Sequence, residues 1–366
     1  LAFAARLPVR RFAGRVAGEA WRPAGIPVAG LLVGCVLLAG VLSMVYWPVI
    51  GREVNGSHRW ISLPVPGLES FQPSELVKWA MIPLIAWYAA RLGIPGRDGR
   101  PRLAAFALGL CPALAGVGLV AGAIVVEDLG TGVLVAASAG LVLLAGGARL
   151  WHFLLFLPPA ALAFGAAVWH SPYRIQRILS FLDPYADPQG SGYHMIQSLV
   201  TVAGGGFWGR GLGHGLQKFG YLPEDTTDFL FAVVCEELGF FGAATILSIY
   251  ALLLWNLVAV ARREENALLR LTALGVAFTL GLQAAINLVV VTGLGPTKGI
   301  ALPLLSSGGS GWILTAFSLG LVVATDLSRG EEDPDHDAAP QPDLPAATIE
   351  PKPAPTPIPS PEPALA

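Results

Sequence analysis

The chain has 366 residues, of which 54% are apolar and only 13% are charged. Soluble proteins of this size rarely have such a composition, and several windows hold the roughly 20 apolar residues that a helix needs to cross a bilayer. The composition therefore indicates a polytopic membrane protein. The net charge of −2 identifies no partner, and no basic, aromatic face predicts binding to nucleic acid.

The first 25 residues begin with LAFAARLPVRRFAG, a sequence typical of a helix end followed by a basic loop. We expect residues 1–25 to be the remnant of a preceding helix and a cytoplasmic loop, in a chain truncated at its N-terminus. The segment lacks the layout of a signal peptide.

Eight apolar segments are predicted to span the membrane as helices, because unpaired backbone groups are not tolerated in lipid. Their length and the lack of period-two alternation argue against a β-barrel. The predicted spans are 26–49, 72–92, 102–126, 129–148, 150–170, 229–261, 268–293 and 309–327.

The distribution of arginine predicts the orientation of these spans. Arginines cluster before the first span, between the second and third, after the fourth, and between the sixth and seventh. Alternation through eight spans places all four groups in the cytoplasm. The opposite side then holds the segments 50–71, 126–129, 171–228 and 294–308.

The chain outside the spans has three recognisable parts. Asn55-Gly56 predicts a turn in the first outer segment. The large outer loop 171–228 contains MIQSLVTV, which is short and amphipathic and predicts an interfacial or re-entrant helix. The segment 328–366 is rich in proline and acid, so we expect a disordered cytoplasmic tail after a transmembrane domain at 26–327.

The predicted outer face combines cations with carboxylates, as chemistry on an anionic, lipid-linked substrate would require. Cations would bind a phosphate group, and a carboxylate would act as a base. The residues concerned are Arg59, Asp128, Arg177, Arg210, Lys218, Asp228 and Lys298.

Asp228 ends the sequence YLPEDTTD, directly before the apolar run that starts at Phe229. The partly dry mouth of a helix bundle would suit a general base. Thr226, Thr227 and Asp228 are also N-cap residue types, and a carboxylate at a helix N-terminus contributes about 0.3–1 kcal/mol. Catalysis and capping both stay open for Asp228.

Three other cations each have a structural alternative. Lys78 lies inside a span, where ionisable residues are functional candidates, but it can also pair with Glu75 three residues earlier. Lys298, in GPTKG, could bind phosphate or extend to the interface. Arg59, beside Trp60, could bind phosphate or anchor the chain at the membrane surface.

Other polar residues indicate structure rather than chemistry. Glu236 and Glu237 lie two turns inside the sixth span, where we expect a polar network with at most one of them facing a given partner. The three cysteines and six histidines have no ligand spacing, so neither a metal site nor a disulfide is predicted.

Taken together, the motifs resemble those of the SEDS family, the shape, elongation, division and sporulation proteins that include FtsW and RodA. The ordered set is specific, although each motif alone is weak, and it covers almost all of 26–327. PTKG and GREVNGSHRW resemble the FtsW branch more closely, whereas FQPSE resembles the RodA branch. The matching segments are NGSHRWI (55–61), FQPSELVKW (71–79), EDLGTG (127–132), FLDPYADPQGSGYHMIQSL (181–199), GLGHGLQKFGYLPEDTTDFLFAVVCEELG (211–239) and GPTKGIALPLLSSGGS (295–310).

The resemblance implies an all-α bundle of ten transmembrane helices with a large extracytoplasmic loop, of which about eight complete helices are present here. It also implies polymerisation of lipid II into glycan strands, with inversion and release of undecaprenyl pyrophosphate. Asp228 would be the catalytic base. The implied substrate-binding residues are Arg59, Lys78 and Lys298, and Arg210 and Lys218 are further candidates for that role.

The same resemblance implies a multi-pass protein of the bacterial inner membrane, located at the division septum in the FtsW case. Its partners would be a class B penicillin-binding transpeptidase and other divisome or elongasome proteins. The resemblance implies no certain cofactor, and a divalent cation at the pyrophosphate stays open. A lipid II flippase and a non-catalytic scaffold are the alternative functions.

The chain departs from the family pattern at three places. Thr226 replaces the usual histidine two residues before the aspartate, and Ser307 replaces the usual tyrosine of S-Y-G-G. Val126-Glu127 replaces the usual Q-P before Asp128.

Overall fold

A computed structural model describes most of the chain. The described residues are 1–10, 13, 26–54, 57–62, 70–93, 102–307 and 309–332. Three predictions lie outside them: most of the basic loop before the first span, the turn at Asn55-Gly56, and the proline-rich tail beyond residue 332. Leu1–Ser328 forms one compact unit, and the second unit, Arg329–Ala366, is described only to Glu332.

The described residues form eleven α-helices and three strands. The helices are α1 Ala2–Ala5, α2 Ile26–Ser43, α3 Pro73–Leu92, α4 Cys111–Glu127, α5 Leu129–Ala145, α6 Leu150–Trp169, α7 Pro172–Leu182, α8 Tyr193–Gly204, α9 Leu230–Arg263, α10 Ala267–Val291 and α11 Gly309–Glu332. The strands are β1 Gly51–Val54, β2 Ser57–Ser62 and β3 Ser70–Phe71.

All eight predicted spans are confirmed as helical segments, α2 to α6 and α9 to α11. The third differs at its start, where a 3₁₀ turn and a π-helical turn precede α4. By length and composition, α2, α6, α9, α10 and α11 can each cross a membrane, whereas α4 and α5 are apolar but shorter. The predicted short helix around MIQSLVTV is present as α8.

Helix α10 lies at the centre of the bundle, packed against α3, α5 and α9. Three buried polar residues, Thr279, Gln283 and Asn287, follow one another at four-residue intervals and therefore share one face of the helix. Gln283 donates to the carbonyl of Ala301, and Asn287 donates to the carbonyl of Ile300. This polar stripe thus holds the loop between α10 and α11 against the bundle.

Helix α9 is interrupted at Gly239, whose φ of +65° and ψ of −161° suit only glycine. The interruption leaves helix carbonyls without their usual partners, and the glycine-rich loop before α9 supplies new donors. The N–H groups of Arg210 and Gly211 donate to the carbonyls of Glu236 and Glu237, both at 2.9 Å.

The side chains of Glu236 and Glu237 bind the same loop. Glu236 accepts from the N–H groups of two loop residues, and Glu237 accepts from two others. As expected, no described residue bonds to both acids, and each acid has its own partners because the loop passes over both side chains. The predicted polar network is confirmed.

A small antiparallel sheet in the order β1-β2-β3 lies after α2. Ile61 of β2 pairs with Gly51 of β1 and with Phe71 of β3. Sequence reasoning missed these strands, because segments of two to six residues are too short to show a period-two pattern. The sheet fixes the position of Arg59 on its central strand.

We expect Gly239→Ala to lower the unfolding temperature in detergent markedly. A Cβ at this position would lie 2.3 Å from the nitrogen of Gly209, in a backbone conformation strained for alanine by about 1–3 kcal/mol. Gly118→Ala is the control, because a Cβ there meets open space and helical alanine gains up to about 1 kcal/mol. Equal unfolding temperatures for the two variants would contradict the assigned break in α9.

Candidate functional site

Asp228 lies at the end of a tight turn that enters α9. The turn forms around Glu224, which has a φ of +56° and whose carbonyl accepts from the N–H groups of Thr227 and Phe229. The N-cap of α9 is Phe229, and no side chain caps the helix. The alternative of Asp228 as an N-cap is therefore wrong, and its carboxylate is left for another role.

The carboxylate of Asp228 is partly buried over the loop between α10 and α11. A Cβ on Gly299 would lie 2.6 Å from Asp228 Oδ2, so the carboxylate sits directly on that glycine. Among the described residues, no side chain donates a hydrogen bond to it or forms an ion pair with it. A carboxylate without such partners is free to accept a proton from a bound molecule.

Burial raises the pKa of Asp228 to about 6, and the negative charges of Glu224 and Asp128 add to this effect. Arg177 and Arg59 oppose it without cancelling it. The carboxyl thus titrates close to neutrality, which is the range in which a general base works best.

Asp128, by contrast, is neutralised by a neighbour. Its Oδ1 lies 2.9 Å from Lys298 Nζ, and it also accepts from the N–H groups of Gly130 and Thr131 at the start of α5. Burial by itself would raise the pKa of Asp128, but Lys298 and Arg59 outweigh burial and lower it. Asp128 is therefore a fixed negative charge that holds Lys298 in place.

Two arginines from different elements lie close enough to Asp228 to act on its charge. Arg59 on β2 donates to the carbonyl of Glu127 at 2.7 Å, and its Nε is buried without a partner among the described residues. Arg177 on α7 donates to the carbonyl of Thr297 at 2.7 Å and stacks on Tyr173. Both guanidinium groups act electrostatically on Asp228 and keep unused N–H groups that can bind an anion.

Lys78 is placed differently from the other predicted cations. Only 2% of it is exposed, and its Nζ contacts Glu75 at 2.8 Å and Gln283 Oε1 at 2.9 Å. The predicted pairing with Glu75 is confirmed. Through Gln283, which also binds the carbonyl of Ala301, Lys78 supports the loop beneath Asp228.

Arg210 and Lys218 belong to the loop that closes the break in α9. Arg210 Nη1 lies 3.3 Å from Glu236 Oε1, and Lys218 Nζ lies 2.7 Å from Glu237 Oε1. Neither acts on the charge of Asp228 as Arg59 and Arg177 do. Both therefore stabilise the loop in the structure, and a role of either in substrate binding stays a prediction.

A groove of about 270 Å³ leads away from Arg59 and Asp128. Its walls are apolar side chains of α2, including Ala39 and Leu42, and of α4, including Ala123 and Ile124. The groove is therefore lined by the charged side chains of Arg59 and Asp128 and by apolar side chains of two helices, an arrangement that fits an amphiphile with an anionic head.

Sequence reasoning placed Asp128 and Arg177 among the charged residues of the outer face but assigned neither an individual role, and it missed Asn287 altogether. The signal for Asn287 was its four-residue spacing from Gln283 within an apolar helix, since buried amides are expensive unless they are hydrogen-bonded. Across the described residues, no three His, Cys, Asp or Glu side chains gather around a metal position. A divalent cation at the site stays a prediction.

Comparison with known proteins identifies the family. The sequence profile of the FTSW_RODA_SPOVE family, described as "Cell cycle protein", matches residues 27–330. This chain belongs to the FtsW/RodA/SpoVE family. As a family member with several apolar helices of membrane-spanning length, it is a multi-pass membrane protein.

Curated relatives place the chain near the FtsW and SpoVE members of the family. It is 41% identical to the probable peptidoglycan glycosyltransferase FtsW of Nitrosococcus halophilus, over 79% of this chain and 73% of the relative. It is 39% identical to stage V sporulation protein E of Bacillus subtilis, over 80% and 77% of the two chains. These relatives are consistent with the expected FtsW branch.

Solved structures show the same fold. A chain from "Structural coordination of polymerization and crosslinking by a peptidoglycan synthase complex" is 32% identical, with a TM-score of 0.64 over 91% of this chain and 86% of that chain. The rod shape determining protein RodA of Thermus thermophilus is 27% identical, with a TM-score of 0.53 over 90% and 86%. The predicted helical SEDS bundle is confirmed.

Two departures from the family pattern meet in space. The N–H of Ser307 donates to the carbonyl of Thr226 at 2.9 Å, so the positions where relatives are expected to carry tyrosine and histidine are neighbours. Both positions carry small residues here, and the contact between them is a backbone hydrogen bond. This bond attaches the turn before Asp228 to the segment at the start of α11.

We expect Asp228→Asn to raise the unfolding temperature in detergent at pH 7.5. Because the folded-state pKa of Asp228 is raised to about 6, the acid favours folding fully below about pH 4, and this benefit is lost as the pH rises through 6. A shift of this size corresponds to about 2 kcal/mol for a partly exposed group. The difference between the two proteins should vanish near pH 4, and a variant less stable than the wild type at pH 7.5 would contradict the raised pKa.

Proposed function

We propose that this chain is a peptidoglycan glycosyltransferase that polymerises lipid II on the outer face of the bacterial inner membrane. The observation that carries the proposal is the unpaired carboxylate of Asp228, which has a pKa raised to about 6 and feels the positive charges of Arg59 and Arg177. The names of the curated relatives, which include probable peptidoglycan glycosyltransferases, support it.

In the proposed reaction, Asp228 accepts the proton of the acceptor sugar's 4-hydroxyl. That oxygen forms a bond to the anomeric carbon of the donor sugar as the bond from this carbon to the pyrophosphate oxygen breaks. The electron pair of the broken bond stays on the departing undecaprenyl pyrophosphate, and attack from the opposite side inverts the anomeric centre. The proton is held by Asp228 until it passes to solvent, so charge and atoms balance.

The two arginines stabilise the departing pyrophosphate. Arg59 and Arg177 are held by single hydrogen bonds to backbone carbonyls, so the rest of each guanidinium can bind phosphate oxygens in fixed positions. Lys298 contributes less positive charge than expected, because Asp128 neutralises it. Its role is to hold the loop that carries Gly299.

Loss of polymerisation in Asp228→Asn tests the proposal. Purified chain is incubated with lipid II, and glycan strands are resolved on gels. We expect the rate to fall at least 100-fold, since general base catalysis contributes about 10²–10⁴-fold. Asp187→Asn, which removes an exposed carboxylate in the outer loop, should polymerise at the wild-type rate. Strands of normal length and amount from Asp228→Asn would refute the proposal.

We further propose that the groove between α2 and α4 holds the first isoprene units of a lipid-linked substrate. Arg59 and apolar side chains of α2 and α4 line the same groove, so a lipid whose phosphate binds this arginine can place its chain against apolar surface. The groove thereby aligns the phosphates with the site, which is the kind of orientation that proximity effects in catalysis require.

Ala123→Phe should raise the KM for lipid II about tenfold with little change in kcat, because the new ring fills the groove without touching Asp228. Gly122→Phe adds the same ring at the adjacent residue, which lies outside the groove and has open space beside it. Polymerisation kinetics of both variants provide the measurement. Equal KM values for the two would exclude the groove as the lipid site.

A class B penicillin-binding transpeptidase is the proposed partner, and the division septum the proposed location. The structural relative in a peptidoglycan synthase complex supports this partner. A flippase and a non-catalytic scaffold remain the alternatives. Lipid II movement in liposomes that survives Asp228→Asn would support the flippase, and growth of a null strain rescued by Asp228→Ala would support the scaffold.

A further inference from the structure

Asn287 is a buried amide on the central helix, 1% exposed, in a stretch that is otherwise apolar. Burial of an amide costs about 1–3 kcal/mol unless it is hydrogen-bonded. Its side-chain nitrogen donates to the backbone carbonyl of Asp228 at 2.7 Å and to that of Ile300 at 2.8 Å. One side chain therefore joins the turn that carries Asp228 to the loop that lies under it.

The two carbonyl acceptors fix the orientation of this amide, because only its NH₂ group can donate to them. Asn287 Oδ1 then faces away from both, and it is buried without a partner among the described residues. If this position only had to fill space in the core, an apolar side chain would fill it without leaving a buried acceptor unpaired. The double donation is the contact that accounts for an amide at this position.

The loop beneath Asp228 is held at several points. Arg177 binds the carbonyl of Thr297, Lys298 pairs with Asp128, and Gln283 binds the carbonyl of Ala301. These contacts hold the loop to α7, α5 and α10. Asn287 alone among the described side chains of α10 also reaches the backbone of Asp228 itself.

We propose that Asn287 is a positioning residue for Asp228, whose amide keeps the carboxylate seated on Gly299 and away from bulk water. The inference rests on the proposed function for its catalytic meaning, because the seated carboxylate is the proposed base. In the proposed reaction Asn287 contacts neither sugar nor phosphate. It acts only through the geometry and solvation of Asp228.

The charges around Asp228 set the expected direction of change. Glu224, on the same turn, and Asp128, at the start of α5, raise its pKa, whereas Arg177 on α7 and Arg59 on β2 lower it. Burial is the largest influence. When the tie to Asn287 is lost, water reaches the carboxylate and its pKa falls toward the usual value of about 4.

Infrared titration of the purified full chain measures this directly. The protonated carboxyl band of Asp228 is the band absent in Asp228→Asn, and in the wild type its midpoint should lie at about 6. In Asn287→Ala the midpoint should fall by at least one pH unit. In polymerisation assays of the same protein, kcat should fall about tenfold while the KM for lipid II stays within about twofold, because the phosphate contacts are intact.

Two further variants separate positioning from general damage to the core. Thr279→Val removes a buried polar group of the same helix that has no hydrogen-bond partner among the described residues, and it should leave the midpoint unchanged. Gly299→Ala leaves Asn287 intact but places a Cβ 2.6 Å from Asp228 Oδ2, so it should lower the midpoint even if Asn287→Ala fails to fold.

An unchanged midpoint in folded Asn287→Ala, or in Gly299→Ala, would overturn the positioning role. A lowered midpoint in Asn287→Ala, together with a wild-type chain that polymerises no lipid II, would instead refute the proposed function and leave the positioning contact standing. The two failures are therefore distinguishable.

Discussion

The structure depends on one energetically unfavourable group, the carboxylate of Asp228, which is partly buried and has no described cation bound to it. Two acids, Asp128 and Asp228, lie near each other at the mouth of the bundle, and their surroundings differ. Asp128 has Lys298 at 2.9 Å and two backbone N–H donors, whereas no described side chain bonds to the carboxylate of Asp228. Environments that push two acids apart in pKa are how proteins keep one as a fixed charge and the other as a base.

Much of the remaining architecture holds that carboxylate in place. The polar stripe of α10 supports the loop under Asp228 through Gln283 and Asn287. Lys78, which was expected to bind phosphate, is buried and donates a hydrogen bond to Gln283. Through Gln283 it supports the same loop. Together these buried polar groups define one geometry of the loop. Such networks are costly if half satisfied and specific if satisfied.

The sequence predicted the fold well, because apolar runs of membrane-spanning length allow only helices. All eight segments were found at their predicted places, and Asp228, Arg59 and Lys298 were identified from the family's motifs. The interior contacts were not predictable. The pairing of Lys298 with Asp128 joins residues 170 positions apart, and the break of α9 at Gly239 depends on a loop that docks against it. The sheet that places Arg59 was too short to leave a pattern.

In the proposed glycan polymerisation, an unpaired Asp228 with a raised pKa removes the proton of the acceptor hydroxyl. The most direct measurement is the pH dependence of kcat/KM for lipid II, which reports the ionisation of the free enzyme. If Asp228 is the base, kcat/KM should show an acidic limb with a midpoint at about 6. Below this midpoint kcat/KM should fall tenfold per pH unit, and the limb should be absent from the residual activity of Asp228→Asn. A limb near pH 4, or one that persists in Asp228→Asn, would contradict this role of Asp228.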